Sequence, residues 1–191
     1  MTSSLPNRAL RRLIRELRWW YYLAMSDNTP RVDRATRLQP TLTTGAGSIT
    51  LQRCTLGYFP SSGYWNGHCY LEAREATAEI VVADGVFLNN GATLVAERSS
   101  IRIDSDCLIG PWVQIYDSDF HALAPELRTS GRHPCAPVHL ERNVFVGASV
   151  IILKGVTIGH NSVIGAGSVV INDIPPQTIA AGNPARVIRS L

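Results

Sequence analysis

Proton transfer, nucleophilic attack and metal binding in this chain of 191 residues rest on five histidines, four cysteines and fifteen carboxylates. The cysteines, Cys54, Cys69, Cys107 and Cys135, are scattered with no CxxC pair. That argues against a zinc cluster or a disulfide framework and for free thiols in a reducing cytosol. His121 differs from the other histidines in its setting. It ends the run Asp117-Ser118-Asp119-Phe120-His121, inside a segment, YDSDFHALAPELRTSGRHPCAPV, broken by Pro125, Pro134 and Pro137. An imidazole titrates near neutral pH, so there it can take the proton of a weakly acidic hydroxyl as the oxygen attacks an electrophile. By residue type alone, a loop histidine serves equally as a solvated or structural side chain. Asn89, in Leu88-Asn89-Asn90-Gly91, would likewise satisfy a turn.

The frame that must hold these residues is a six-residue repeat. Leu140, Val146, Ile152, Ile158, Ile164 and Val170 are all branched aliphatics at a step of six, and glycine follows at 147, 159 and 165. The same step runs through Val82, Leu88 and Leu94, and through Ile103, Ile109 and Ile115. Between Leu94 and Ile103 the spacing is nine, which predicts a slip or small insertion in one coil. Period six is not a helix period. It fits short strands joined by turns, each sending one aliphatic into a stacked prism, with about 18 residues per triangular coil. The reading is an all-β hexapeptide-repeat β-helix over 49–181. The repeat fails between Tyr116 and Val138, which predicts a projecting loop over 117–138. A flat-sided coil has few concavities, so such a loop is its means of forming a cleft.

The rest of the chain divides by composition. Residues 1–37 carry eight arginines against Glu16, Asp27 and Asp33, a net charge of +5, while the remainder is at −2. A slightly acidic body disfavours nucleic acid as a partner. Residues 1–25 read as a basic amphipathic helical arm. Leu10, Leu13, Ile14, Leu17 and Tyr21 form one stripe, Arg8, Arg11, Arg12, Arg15 and Arg18 fill the other side, and Trp19, Trp20, Tyr21 and Tyr22 follow. Such a helix either lies on an anionic membrane surface or packs on the body or a neighbouring subunit with its arginines solvated. Residues 26–48, rich in Ser, Asp, Thr, Pro and Gly, are expected as an irregular connector, and 182–191 as a tail. No run approaches the ~20 apolar residues of a membrane-spanning helix. Glu16 and Arg18 interrupt the only early apolar run, which speaks against a secretory signal.

NNGATLVAE, IYDSDFHAL, VGASVIILKGVTIGHNSVIGAGSVV and AGNPARVIR together resemble the hexapeptide-repeat acetyltransferases of the maltose and galactoside O-acetyltransferase type. The likeness is to the branch found in bacterial polysaccharide and lipopolysaccharide gene clusters, and it covers roughly residues 49–190. It implies a left-handed parallel β-helix, a homotrimer in the cytoplasm, acetyl-CoA as co-substrate in a groove between subunits, no metal, and a sugar hydroxyl as acceptor. His121 falls on the family's general base. Asn89, Glu97 and Asp119 fall on the acceptor side. Phe145, Ala148 and Ala166 match positions along the pantetheine, and Arg186 and Arg189 match tail arginines that meet CoA phosphates, to which guanidinium forks are suited. The departure is Ile171-Asn172, where relatives often have Thr-Lys; Lys154, the only lysine, does not fall there.

Rival readings share the fold. The zinc-dependent γ-type carbonic anhydrases need a histidine pair five residues apart, and Tyr116 stands five before His121. Serine acetyltransferases carry a large helical N-terminal domain that about 40 residues cannot supply. N-acylation of an amino sugar, and a non-catalytic β-helix scaffold, are the remaining alternatives. The arm suggests, in addition, a peripheral contact with the inner face of the cell membrane.

Overall fold

The computed structural model describes residues 5–129 and 133–191. One helix, α1 (Leu5–Met25), precedes six three-stranded coils. The first coil is β1 (Arg31–Val32), β2 (Thr36–Arg37) and β3 (Thr41–Thr44); the second is β4 (Ser48–Leu51), β5 (Thr55–Leu56) and β6 (Cys69–Ala73). Then come β7 (Glu79–Val82), β8 (Phe87–Leu88) and β9 (Thr93–Ala96), followed by β10 (Ser100–Ile103), β11 (Leu108–Ile109) and β12 (Gln114–Tyr116). The fifth coil is β13 (Val138–Leu140), β14 (Phe145–Val146) and β15 (Ile151–Ile152), and the sixth is β16 (Thr157–Ile158), β17 (Val163–Ile164) and β18 (Val169–Val170). Every third strand pairs in parallel with its counterpart one coil away, so the three sheets are the faces of a prism. A hairpin of β19 (Thr178–Gly182) and β20 (Ala185–Ser190) closes the far end of the second face.

The six-residue step is the core. Leu51, Val82, Ile103, Leu140 and Ile158 are in register down the first face. Leu56, Leu88, Ile109, Val146 and Ile164 follow down the second, and Leu71, Leu94, Ile115, Ile152 and Val170 down the third. All fifteen are at most 1% exposed. At about 1.5–3 kcal/mol for each fully buried aliphatic, this column is the main stabilising term, and each coil supplies the lid for the next. One corner is turned by a stack of left-handed residues, Gly85, Asp106, Asn143 and Asn161, with φ from 57° to 72°. Asp and Asn tolerate that region because their short polar side chains bond locally, and the Asn143 amide donates to Asn161 at 2.9 Å.

Two departures from the sequence reading concern the N-terminal part. The stretch expected as an irregular connector, 26–48, contains the first coil: β1 and β2 pair with β4 and β5, and β3 pairs with β6. Its inward residues are Gln39, Thr41 and Thr43, buried but polar, so no aliphatic period marks it. Within 49–181 a second excursion, residues 57–68, interrupts the prism between β5 and β6. The break in the six-residue step between Leu56 and Leu71 is its only trace in the sequence.

The helix also departs from expectation. It is anchored through its basic side. Arg18 donates to the carbonyls of Tyr64 (2.8 Å) and Gly67, Tyr22 stacks on His68 at 4.4 Å, and Trp19 lies under the Arg37 guanidinium at 5.5 Å. Leu10, Leu13, Leu17, Trp20 and Tyr21 therefore point outward, each more than half exposed. Arg8, Arg11, Arg12 and Arg15 remain exposed, but Arg18 is not a solvated charge. Among the described residues no helix is long and apolar enough to cross a membrane.

Candidate active site

The excursion 117–138 leaves the third face after β12 and is fastened where it starts. Asp117 is fully buried and accepts backbone N–H bonds from Glu97 (2.7 Å), Arg98 (3.3 Å) and Ser99 (2.7 Å). Those three residues are the insertion that stretches the step from six to nine, so the slip is a turn built around a carboxylate. Ser118 donates to Glu97 Oε2 and accepts the Phe120 N–H at 2.8 Å. Phe120 sits at φ 61°, uncommon for a bulky side chain and worth about 1–3 kcal/mol of strain. Its ring is held by the edge of Tyr116, centroids 5.5 Å apart, and by the Arg74 guanidinium at 5.1 Å. The left-handed turn at Phe120 swings the next residue, His121, out of the coil.

His121 is exposed, and its Nδ1 lies 2.9 Å from the carbonyl oxygen of Arg128, just after the 3-10 turn Pro125–Leu127. A carbonyl only accepts, so in the neutral ring this contact puts the proton on Nδ1 and the lone pair on Nε2.

The returning limb of the loop is fastened to Glu97. His133 Nε2 stands 2.6 Å from Glu97 Oε2, and Arg98 reaches the His133 carbonyl and, at 3.4 Å, the Cys135 sulfur. Burial pushes the Glu97 carboxyl up, but the bonds from Ser118 and His133 outweigh it and hold the group below the usual carboxylate range. Glu97, His133 and Cys135 place an oxygen, a nitrogen and a sulfur within 4.8 Å of one another. Those donors are of types that bind zinc. Here the bonds from Ser118, His133 and Arg98 engage them as a polar network.

Two residues expected on the acceptor side thus have partners within the chain. Glu97 is 7% exposed and bonded as above, and Asp119 is paired with Lys154 at 2.7 Å. Asn89 lies apart from both, on the second face. With Tyr58, Phe87, Leu108, Ile109, Gly110 and Phe145 it lines a cleft of about 360 Å³ on the second face. Its Oδ1 accepts the Asn90 N–H at 2.7 Å, so it is a turn residue as well. Phe145 shares that cleft, 48% exposed, in register with Leu108 and Val163. Ala148 and Ala166 stack one coil apart at the adjoining corner. A Cβ on Gly110 would lie 2.7 Å from the Ala148 nitrogen, and one on Gly147 would lie 2.6 Å from that of Ala166. Arg186 and Arg189 are exposed on β20, at the end of the same sheet. His121 is not among the residues lining the Asn89–Phe145 cleft. The sequence reading gave Ser118, His133, Lys154 and Arg98 no place in this site, for which the nine-residue spacing was the available signal.

The fold defines a class: a left-handed parallel β-helix of hexapeptide repeats. Residues 137–172 match the bacterial transferase hexapeptide model (six repeats). The chain is similar to the galactoside O-acetyltransferase of Lactococcus lactis, 43% identical over 107 residues that cover 56% of this chain and 51% of that protein. In structure it is similar to a maltose O-acetyltransferase from Clostridium difficile, with TM-score 0.57 and 27% identity, covering 95% of this chain and 88% of the other. It also resembles a hexapeptide-repeat acetyltransferase from Vibrio cholerae in complex with acetyl coenzyme A, with TM-score 0.60, 25% identity and coverage of 94% and 88%. The chain spans about half the length of the sequence relatives it matches.

Proposed function

We propose that the protein is an acetyl-CoA-dependent O-acetyltransferase acting on a sugar hydroxyl, in the making of cell-surface polysaccharide or lipopolysaccharide. The observation that carries the reading is the 2.9 Å contact of His121 Nδ1 with the Arg128 carbonyl oxygen. With Nδ1 donating to the Arg128 carbonyl, Nε2 takes the hydroxyl proton while the oxygen attacks the thioester carbon. The tetrahedral oxyanion needs a donor, for which a backbone N–H suffices. Collapse breaks the carbon–sulfur bond, and the imidazolium returns its proton to the departing thiolate. The product ester carries the acetyl group directly, with no acyl-enzyme.

The likeness to galactoside and maltose O-acetyltransferases and to an acetyl-CoA complex supports this donor and this acceptor class. Phe145, Ala148 and Ala166 then border the pantetheine, Arg186 and Arg189 meet the phosphates, and Asn89 faces the acceptor. Because His121 and the Asn89–Phe145 cleft are separate within one chain, the reading includes a homotrimer, each site being completed by a neighbouring copy. Half-exposed Leu108 and Phe145 on a flat face are the surface such an assembly would cover. The outward stripe of α1 supports a cytoplasmic enzyme resting on the inner face of the membrane; deleting residues 1–25 should abolish pelleting with anionic liposomes.

The deciding experiment is His121→Ala with acetyl-CoA and a panel of glycans, following thiol release. A fall in kcat of about 10²–10⁴-fold, with an unchanged circular dichroism spectrum, is expected. Transfer at a near wild-type rate would mean that His121 is not the base.

A further inference from the structure

The excursion 57–68 puts one side chain into the cleft that Asn89 lines. Tyr58 follows β5 by two residues, and its ring meets that of Phe87 edge to face, with centroids 5.9 Å apart and planes at 69°. Phe87, Leu108 and Phe145 are in register on successive coils of the second face. Neighbouring strands are about 4.8 Å apart, so Phe87 and Phe145 stand roughly 10 Å from one another. The cleft therefore has two aromatic ends. Phe145 and Gly110, beside Ala148, form one; Tyr58, Phe87 and Asn89 form the other.

Tyr58 is fixed by the residue that follows Asn89. Asn90 is fully buried; its Oδ1 accepts the Tyr58 N–H at 2.9 Å, and its Nδ2 donates to the Tyr58 carbonyl at 2.9 Å. Gly57 donates to the Leu88 carbonyl at 2.7 Å. The backbone of Tyr58 is thus tied to the coil that carries Phe87 and Asn89, while its ring stays 47% exposed. A ring so exposed adds little to the core, yet its angle to Phe87 is held from behind. Beside this corner the Asn89 amide nitrogen has no bond among the described residues, its oxygen being engaged by the Asn90 N–H. Among the described residues no charged side chain lines the cleft. Two ring faces and an amide with N–H groups to give suit a molecule with an apolar face and a hydroxylated edge. A pyranose has that form, with C–H bonds on its faces and hydroxyls around its rim.

We propose that Tyr58, with Phe87, is the platform on which the acceptor ring lies, so that the excursion 57–68 selects the acceptor. The inference rests on the reading of the Asn89 end as the acceptor side. Phe145, at the other end, is left to the pantetheine.

The test is saturation-transfer NMR on the full chain in the presence of CoA, with methyl β-galactopyranoside as the probe, which reads binding without turnover. Irradiating aromatic protons of the wild type should saturate the ring C–H protons of the galactoside. Tyr58→Ala should bind the galactoside about tenfold more weakly and Tyr58→Phe within about twofold of the wild type. Both variants should keep wild-type CoA affinity and sedimentation. His121→Ala should leave galactoside binding intact. If acetyl transfer survives His121→Ala while Tyr58→Ala loses the galactoside, the base is wrong and the platform stands. If His121→Ala abolishes transfer while the wild type shows no saturation transfer, the platform alone fails. Equal binding by Tyr58→Ala and the wild type, or loss of binding in Tyr58→Phe, overturns the proposal. So does a fall in CoA affinity or a changed sedimentation coefficient in Tyr58→Ala, which would assign the ring to the donor or to a subunit contact.

Discussion

The prism is interrupted twice, and it holds the two excursions by different chemistry. Residues 117–138 are tied by charge: Asp117 on three backbone N–H groups, Glu97 on Ser118 and His133, and Asp119 on Lys154. Residues 57–68 are tied to the prism by neutral amides, Asn90 and Gln39, both fully buried, on backbone groups of Tyr58, Ser62 and Gly63; the guanidinium that holds two of their carbonyls, Arg18, comes from α1. Trp112 fills the space under them so closely that a Cβ on Gly91 would come within 2.2 Å of its ring. Charged ties respond to pH and hold a strained turn that presents one imidazole. Neutral ties hold a fixed aromatic surface whatever the pH.

The largest effect should come from removing the buried carboxylate. Asp117→Ala leaves three N–H groups without a partner and should cost about 3 kcal/mol in urea unfolding; a loss under about 1 kcal/mol would show that the turn 97–99 stands without it. Asn90→Ala removes three neutral bonds at the second excursion and should cost about 2 kcal/mol. That cost should be the same at pH 5 and pH 8, and a strong pH dependence would erase the contrast between the loops.

Acid sharpens the comparison further. Since Glu97 is held below its ordinary range, its ties contribute stability in full above the unfolded carboxyl pKa, and that contribution is lost as pH falls through the folded value. Hydrogen exchange at the Phe120 amide should therefore accelerate below about pH 4, while exchange at Tyr58 stays slow. Glu97→Gln should remove the acid dependence at Phe120. The smallest effect concerns thiols. Burial pushes Cys54 and Cys107 up to about 11 and Cys69 up to about 12, whereas Cys135, on the returning limb beside Arg98, is partly exposed. A thiol reagent at pH 8 should modify Cys135 alone in the native chain; a second reactive thiol would mean that the coil opens more readily than its packing implies.

By itself the sequence determined the coil, its inward aliphatics and the excursion after Tyr116 that carries His121. A β-helix repeats the same inward position every six residues, and that period survives as a pattern along one dimension. Three things were decided only by the tertiary structure: the polar first coil over 31–44, the outward apolar side of α1, and the engagement of Glu97 and Asp119 by His133 and Lys154. Each depends on a polar partner between about 15 and 50 residues away that no period announces. Hydrophobic burial is additive and local enough to be written as a rhythm. A hydrogen bond needs its donor and acceptor to meet, and only the folded chain brings them together.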